Sequence, residues 1–89
     1  MIKVALSSSF KKVYKKIIKK NTELEAKFVN KLKIFQENPY HPSLRTHKLE
    51  GKLKHLNSFS LDYKIRVIFY FETNDKAVFI NIGSHNQVY

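Results

Sequence analysis

The chain has 89 residues and no cysteine, is 43% hydrophobic and 13% aromatic, and sets 17 Lys and Arg against 7 Asp and Glu for a formal net charge of +10. Its length suits one domain over residues 1–89 that buries somewhat more than ~60% of its unfolded surface, and its composition excludes a disordered chain and a disulfide framework. So much positive charge on so small a body repels itself and predicts an anionic partner, nucleic acid or an acidic protein, unless it serves solubility alone.

No apolar run approaches the ~20 residues of a membrane span, and the first residues lack the pattern of a signal peptide. A cytoplasmic protein with no membrane partner is expected.

Residues 2 to 6, IKVAL, read as a short strand, and Ser7 to Ser9 offer N-caps to a following helix. In that helix Phe10, Val13, Tyr14, Ile17 and Ile18 recur on one face, while Lys11, Lys12, Lys15, Lys16, Lys19 and Lys20 occupy the rest. Asn21 interrupts it. Thr22 and Glu25 have the spacing of a capping box opening a second helix to about residue 37, with Leu24, Phe28, Leu32 and Phe35 inward. Helices joined so tightly run antiparallel, and their shared apolar stripe needs a surface to cover.

Asn38 and Pro39 end the second helix, and residues 38–50 read as a loop bearing His41, Arg45, His47 and Lys48. From Gly51 the chain turns into a strand over about 52–61, and Asp62 and Tyr63 make a tight turn. The run KIRVIFYF, residues 64–71, reads as the central strand: Ile65, Val67, Phe69 and Phe71 share an apolar face, and Lys64, Arg66, Ile68 and Tyr70 share the other. Neighbouring segments repeat the division. Phe59 and Leu61 alternate with Ser58 and Ser60, and Val78, Ile80 and Ile82 alternate with Phe79 and Asn81. After a turn at Thr73 to Asp75, residues 76–82 form the last strand and residues 83–89 a short tail. The order β-α-α-β-β-β predicts an α+β domain: a small, mainly antiparallel sheet with the first strand at an edge, covered on one face by the helix pair.

The order of elements and the residues together resemble the RelE and ParE superfamily of bacterial toxin–antitoxin toxins, most of all its RelE, StbE and YafQ-like ribonuclease branch. The resemblance spans nearly the whole chain: the basic helix pair, the loop HPSLRTHKLEGKL, the strand ending YKIRVIF, and IGSHNQVY, whose Gly-Ser-His, two residues, apolar, aromatic pattern is the most specific part. It implies an mRNA endoribonuclease acting at the ribosome, with no metal or small-molecule cofactor, neutralised by a cognate antitoxin protein. Carried over residue by residue, His85 matches the family's C-terminal catalytic histidine, Tyr89 its last aromatic, His47 a loop histidine and Arg66 the central-strand arginine. Lys64, Tyr89, Arg45, Lys48, Lys52 and Asn81 are expected to bind substrate. Two positions depart from the pattern: Asn81 stands where an arginine is common, and Ser60 near where a further histidine falls. The departures keep an alternative open, a non-enzymatic gyrase inhibitor like the ParE branch or a basic RNA- or antitoxin-binding member of the fold.

The chemistry is consistent with these residue types. Cutting RNA without a metal needs a base for the 2′-hydroxyl, a cation facing the phosphorane and an acid for the departing 5′ oxygen. Histidine serves as base or acid near neutral pH, and the arginine fork fits phosphate oxygens. Each residue has a plainer rival role: His85 in a solvated tail, His47 on a polar surface loop, Tyr89 over the core edge, Arg66 paired with Asp62 or Glu50, and Lys64 and Lys52 as solvated strand lysines. The four histidines, His41 and His55 included, show no metal-ligand spacing.

Overall fold

The computed structural model describes residues 1–19, 21–53 and 55–89, apart from the side chain of Gln87. In chain order come β1 (Lys3–Leu6), α1 (Ser8–Ile18), α2 (Thr22–Glu37), a 3-10 turn (Pro42–Leu44), β2 (His47–Lys48), a second 3-10 turn (Gly51–Leu53), β3 (Asn57–Ser60), β4 (Ile65–Thr73), β5 (Lys76–Ser84) and α3 (His85–Val88). The strands form one five-stranded sheet in the order β1-β5-β4-β3-β2. The edge strand β1 is parallel to β5, and the other pairings are antiparallel. The expected α+β architecture, with the first strand at an edge, is what folds. Among the described residues no helix is long and apolar enough to cross a membrane.

Helix α1 starts where Ser7, in extended conformation, accepts the Phe10 N–H on its side chain at 3.0 Å. Helix α2 is capped one residue earlier than the Thr22–Glu25 spacing predicts. Asn21, with φ −139° and ψ 82°, accepts the Leu24 N–H on its amide oxygen at 3.0 Å, which places Thr22 inside the first turn. The expected extension of α1 to Lys20 lies outside the described residues.

The core is largely aromatic. Phe35 reaches from α2 to Phe59, Phe69 and Phe79 on three strands, with ring centroids 5.2, 4.9 and 5.2 Å away. Phe28 links Phe10 and Tyr14 of α1 to Phe79. Phe10, Phe35, Phe59, Phe69 and Phe79 are all 0% exposed, so the helix pair seals the inner face of the sheet.

Four further expectations are corrected. The strand read over 52–61 is strand only from Asn57, because Gly51 takes a left-handed φ of 68° and turns the chain into 3-10 conformation through Leu53. Within the expected loop 38–50, His47 and Lys48 pair with Ser58 and Asn57 as a two-residue strand. Residues 83–89 are no loose tail: β5 runs on to Ser84, and α3 follows at once.

The fourth correction is the most consequential. A register shift between β4 and β5 leaves Ile80 without an opposite residue, since Asn81 pairs with Ile68 while Phe79 pairs with Phe69. Ile80 is a bulge, and simple alternation fails across it. Ala77, Phe79 and Ile82 therefore enter the core, whereas Val78 and Asn81 share the outer face. The Ile80 carbonyl, turned out of the ladder, accepts the Ser9 hydroxyl at 3.0 Å and ties the start of α1 to the bulge.

Candidate active site

Residues directly opposite one another in a sheet project to the same side. The observed register therefore aligns His47, Ser58, Ile68 and Asn81 in one row across β2, β3, β4 and β5. The next row holds Ser60, Arg66 and Gly83. Both rows lie on the face away from the two long helices. Here α3 comes down, so that Ile68 is 3% exposed and Ser58 fully buried. The outer face is thus not an open charged surface but a shallow site with an apolar centre, ringed by polar groups.

His47 is aimed by the loop before it. Arg45 takes the left-handed conformation, φ 52°, and closes the Pro42–Leu44 turn through its N–H to the Pro42 carbonyl at 3.2 Å. The Thr46 hydroxyl donates to the Pro39 carbonyl at 2.6 Å, fixing the loop one residue before the histidine. His47 Nδ1 lies 3.0 Å from the Arg45 carbonyl oxygen. A carbonyl only accepts, so Nδ1 carries the hydrogen, and in the neutral ring Nε2 holds the free lone pair.

Arg66 is half-buried at the middle of the second row. Its Nη1 donates to the Ser60 hydroxyl directly across from it, with a longer contact of 3.5 Å to the Asp62 carbonyl. Among the described residues no carboxylate lies within ion-pairing distance of it. Glu50 is therefore not its partner. The Asp62 carboxylate is committed elsewhere: Oδ1 accepts the Lys64 and Ile65 N–H groups at 2.9 and 2.8 Å, and Oδ2 meets Lys27 Nζ at 3.4 Å. Burial pushes Asp62 up, but the Ile65 and Lys64 amides and the Lys27 ammonium outweigh it and hold the carboxyl below the usual range. Arg66 thus keeps its charge unspent, facing a hydroxyl.

His85 and Tyr89 stand four residues apart on the single turn of α3, whose Tyr89 N–H donates to the His85 carbonyl at 3.1 Å. Their rings meet edge to face with centroids 4.3 Å apart. The Tyr89 phenol reaches Ser58 Oγ at 2.6 Å, on the same row as His47. His47, Arg66, His85 and Tyr89 thus converge on one face.

The other expected residues are placed less centrally. Asn81 belongs to the first row, but its Oδ1 accepts the Ile82 N–H at 2.9 Å, and it lines a groove of about 360 Å³ with Val13, Lys16 and Ile17 of α1. Lys48 shares its side of the sheet with Asn57, opposite to His47. Lys52 is exposed in the second 3-10 turn, and Lys64 is exposed with its ammonium 5.9 Å from the Tyr63 ring centroid. Arg45 lines a recess of about 280 Å³ with Lys31, Ser60 and Asp62, which adjoins the second row at Ser60. The reading of sequence missed Ser58 as the anchor of this face; its signal was a serine alternating with buried Phe59 and Leu61. Among the described residues no group of three or more His, Cys, Asp or Glu is placed to hold a metal ion.

No protein-family model matches the chain, and no curated protein matches its sequence. Solved structures do match. YafQ from E. coli strain BL21(DE3) aligns with all of this chain over 99% of its own at a TM-score of 0.80 and 16% identity, and YafQ in the E. coli DinJ–YafQ complex at 0.75 and 19%, with the same coverage. The YoeB/ParE toxin from Agrobacterium tumefaciens aligns with 94% of this chain and 99% of its own at 0.79 and 13% identity. A metal-bound toxin from Helicobacter pylori covers 100% of both chains at 0.77 and 21% identity. At these identities the likeness is one of fold: the chain has the fold of the RelE-like toxins.

Proposed function

We propose that this protein is the toxin of a toxin–antitoxin pair and acts as an endoribonuclease that cuts mRNA by metal-independent attack of the 2′-hydroxyl, at the ribosome and in the cytoplasm. The observation that carries this reading is the convergence of His47, Arg66, His85 and Tyr89 on one face of a RelE-like fold. His47 Nε2, left with its lone pair, takes the 2′-hydroxyl proton. The 2′ oxygen attacks the adjacent phosphorus, and the Arg66 fork faces the charge that gathers on the phosphorane oxygens. His85, protonated, gives its proton to the departing 5′ oxygen, leaving a 2′,3′-cyclic phosphate and a 5′-hydroxyl. The exposed part of the Tyr89 ring offers a base a stacking surface worth roughly 1 to 3 kcal/mol, with Arg45, Lys52, Lys64 and Asn81 around the RNA path. The solved DinJ–YafQ complex supports an antitoxin protein as the physiological partner.

Asn81 favours a second reading. With its amide turned to its own strand edge and no arginine in its place, the fold supports a non-enzymatic inhibitor of the ParE kind, or a binding member without cleavage.

The deciding experiment maps 5′ ends of mRNA in a purified translation system with wild-type protein and with His85→Ala. Cleavage at defined positions that falls about 10²- to 10⁴-fold in the variant supports the ribonuclease. Intact mRNA with wild-type protein overturns it and favours the second reading.

A further inference from the structure

Ser58 lies in the middle of the outer face, 0% exposed, with its hydroxyl 2.6 Å from the Tyr89 phenol. A buried hydroxyl left without a partner costs roughly 1 to 3 kcal/mol, so the buried Ser58 hydroxyl holds the Tyr89 phenol in place. The consequence passes along α3. A helix of one turn does not sustain itself in water, because nucleation is unfavourable and only a few hydrogen bonds offset it. Something outside the turn must fix its orientation, and the phenol–serine hydrogen bond does so at the end farthest from β5. The Tyr89 ring, held at its oxygen, then meets the His85 imidazole edge to face, with ring centroids 4.3 Å apart and 84° between ring planes.

We propose that Ser58 is a positioning residue: through the Tyr89 phenol and ring it sets the orientation of the His85 imidazole toward the row that begins at His47. The inference deepens the ribonuclease reading and rests on it. Its geometry is economical, since Ser58 is the residue directly opposite His47 in the register, so one serine relates the two histidines on which base and acid depend. The aromatic at position 89 thus has a specific chemistry here. Phenylalanine supplies the ring but not the oxygen that pins it.

The test uses Ser58→Ala and Tyr89→Phe, singly and together, in the full chain. Proton NMR follows the His85 ring, whose signals in the wild type carry the ring-current displacement imposed by Tyr89, and single-turnover cleavage follows the chemistry. We expect each single variant to move the His85 ring signals toward their free positions and to slow cleavage roughly 10- to 100-fold, with RNA affinity little changed. The double variant should be no slower than the worse single one, because both substitutions break the same hydrogen bond. Tyr89 is 41% exposed, so Tyr89→Phe tests the bond even if Ser58→Ala folds poorly. Unmoved His85 signals in Tyr89→Phe, or rate losses that multiply in the double variant, overturn the proposal. Displaced signals in the variants of a protein that cuts no RNA uphold the positioning and overturn the ribonuclease reading instead.

Discussion

Two surfaces of this molecule carry positive charge in opposite ways. The outer side of α1 exposes Lys11, Lys12, Lys15, Lys16 and Lys19, and none of them makes an ion pair among the described residues. Lys11 with Lys15, Lys12 with Lys16, and Lys15 with Lys19 are like charges four apart on a helix, each pair costing a few tenths of a kcal/mol. The helix folds through its other side, where Phe10 is 0% and Ile18 8% exposed. The two rows of the outer sheet face carry one arginine, and that arginine, both histidines and the tyrosine each have a defined contact. Charge spread over a helix draws an anion without orienting it; charge held by hydrogen bonds orients what has been drawn.

The largest effect is expected at Arg66. Replacing it with alanine removes the only cation in the two rows and should lower RNA cleavage about 10²- to 10³-fold, measured in single turnover, while binding to the protein as a whole falls much less. Arg66→Lys should recover only part of the rate, since an ammonium does not fork onto two phosphate oxygens. If Arg66→Ala cuts at the wild-type rate, the division between a drawing surface and an orienting one fails.

How much of this was legible in the sequence follows from what periodicity can register. The helix pair was readable because Phe10, Val13, Tyr14, Ile17 and Ile18, and then Leu24, Phe28, Leu32 and Phe35, repeat at helical spacing and do become the packed sides. The central strand was readable for the same reason, with Val67 and Phe69 at 0% exposure. A bulge inserts one residue into a period of two, and nothing in Val78 to Ile82 marks Ile80 as the unpaired one, since every neighbour but Asn81 is apolar. Strand β2 has two residues, too few for any pattern. The local spacing of Thr22 and Glu25 was real as a motif, but Asn21 is as good a cap and stands one residue nearer the turn. At the site, His47, Arg66, His85 and Tyr89 were named from resemblance. Ser58 was not, because its role exists only where three segments of the fold meet.

A smaller effect is expected on the lysine surface of α1. Replacing Lys12 and Lys16 with glutamine should leave the rate of the bound complex unchanged and reduce the salt dependence of RNA binding. If both lysines meet phosphates of a single strand, the slope should fall by roughly 0.7 log units per log salt for each phosphate no longer neutralised. An unchanged slope would reassign the lysines of α1 to a protein partner or to solubility. The same substitution relieves the repulsion between two lysines four apart, and low-salt stability should rise by roughly 0.2 to 0.5 kcal/mol.

Asp62 bears on the orienting side alone: it anchors the turn before Arg66 and meets Lys27 of α2. Asp62→Ala frees two backbone N–H groups at the entry to β4, a loss comparable to that of a helix cap and worth about 1 kcal/mol. The carboxyl is held below its ordinary value of about 3.9 in the folded chain. The unfolded chain therefore binds more protons in the window just below that value, and the stability Asp62 contributes is complete above pH ~4 and lost as pH falls through the folded value. Denaturant midpoints measured from pH 7 down to pH 2 should accordingly fall less steeply in Asp62→Ala than in the wild type, the two curves drawing together at the acid end. Parallel curves would mean that the Asp62 carboxylate adds no pH-dependent stability and that the turn is held by its backbone alone.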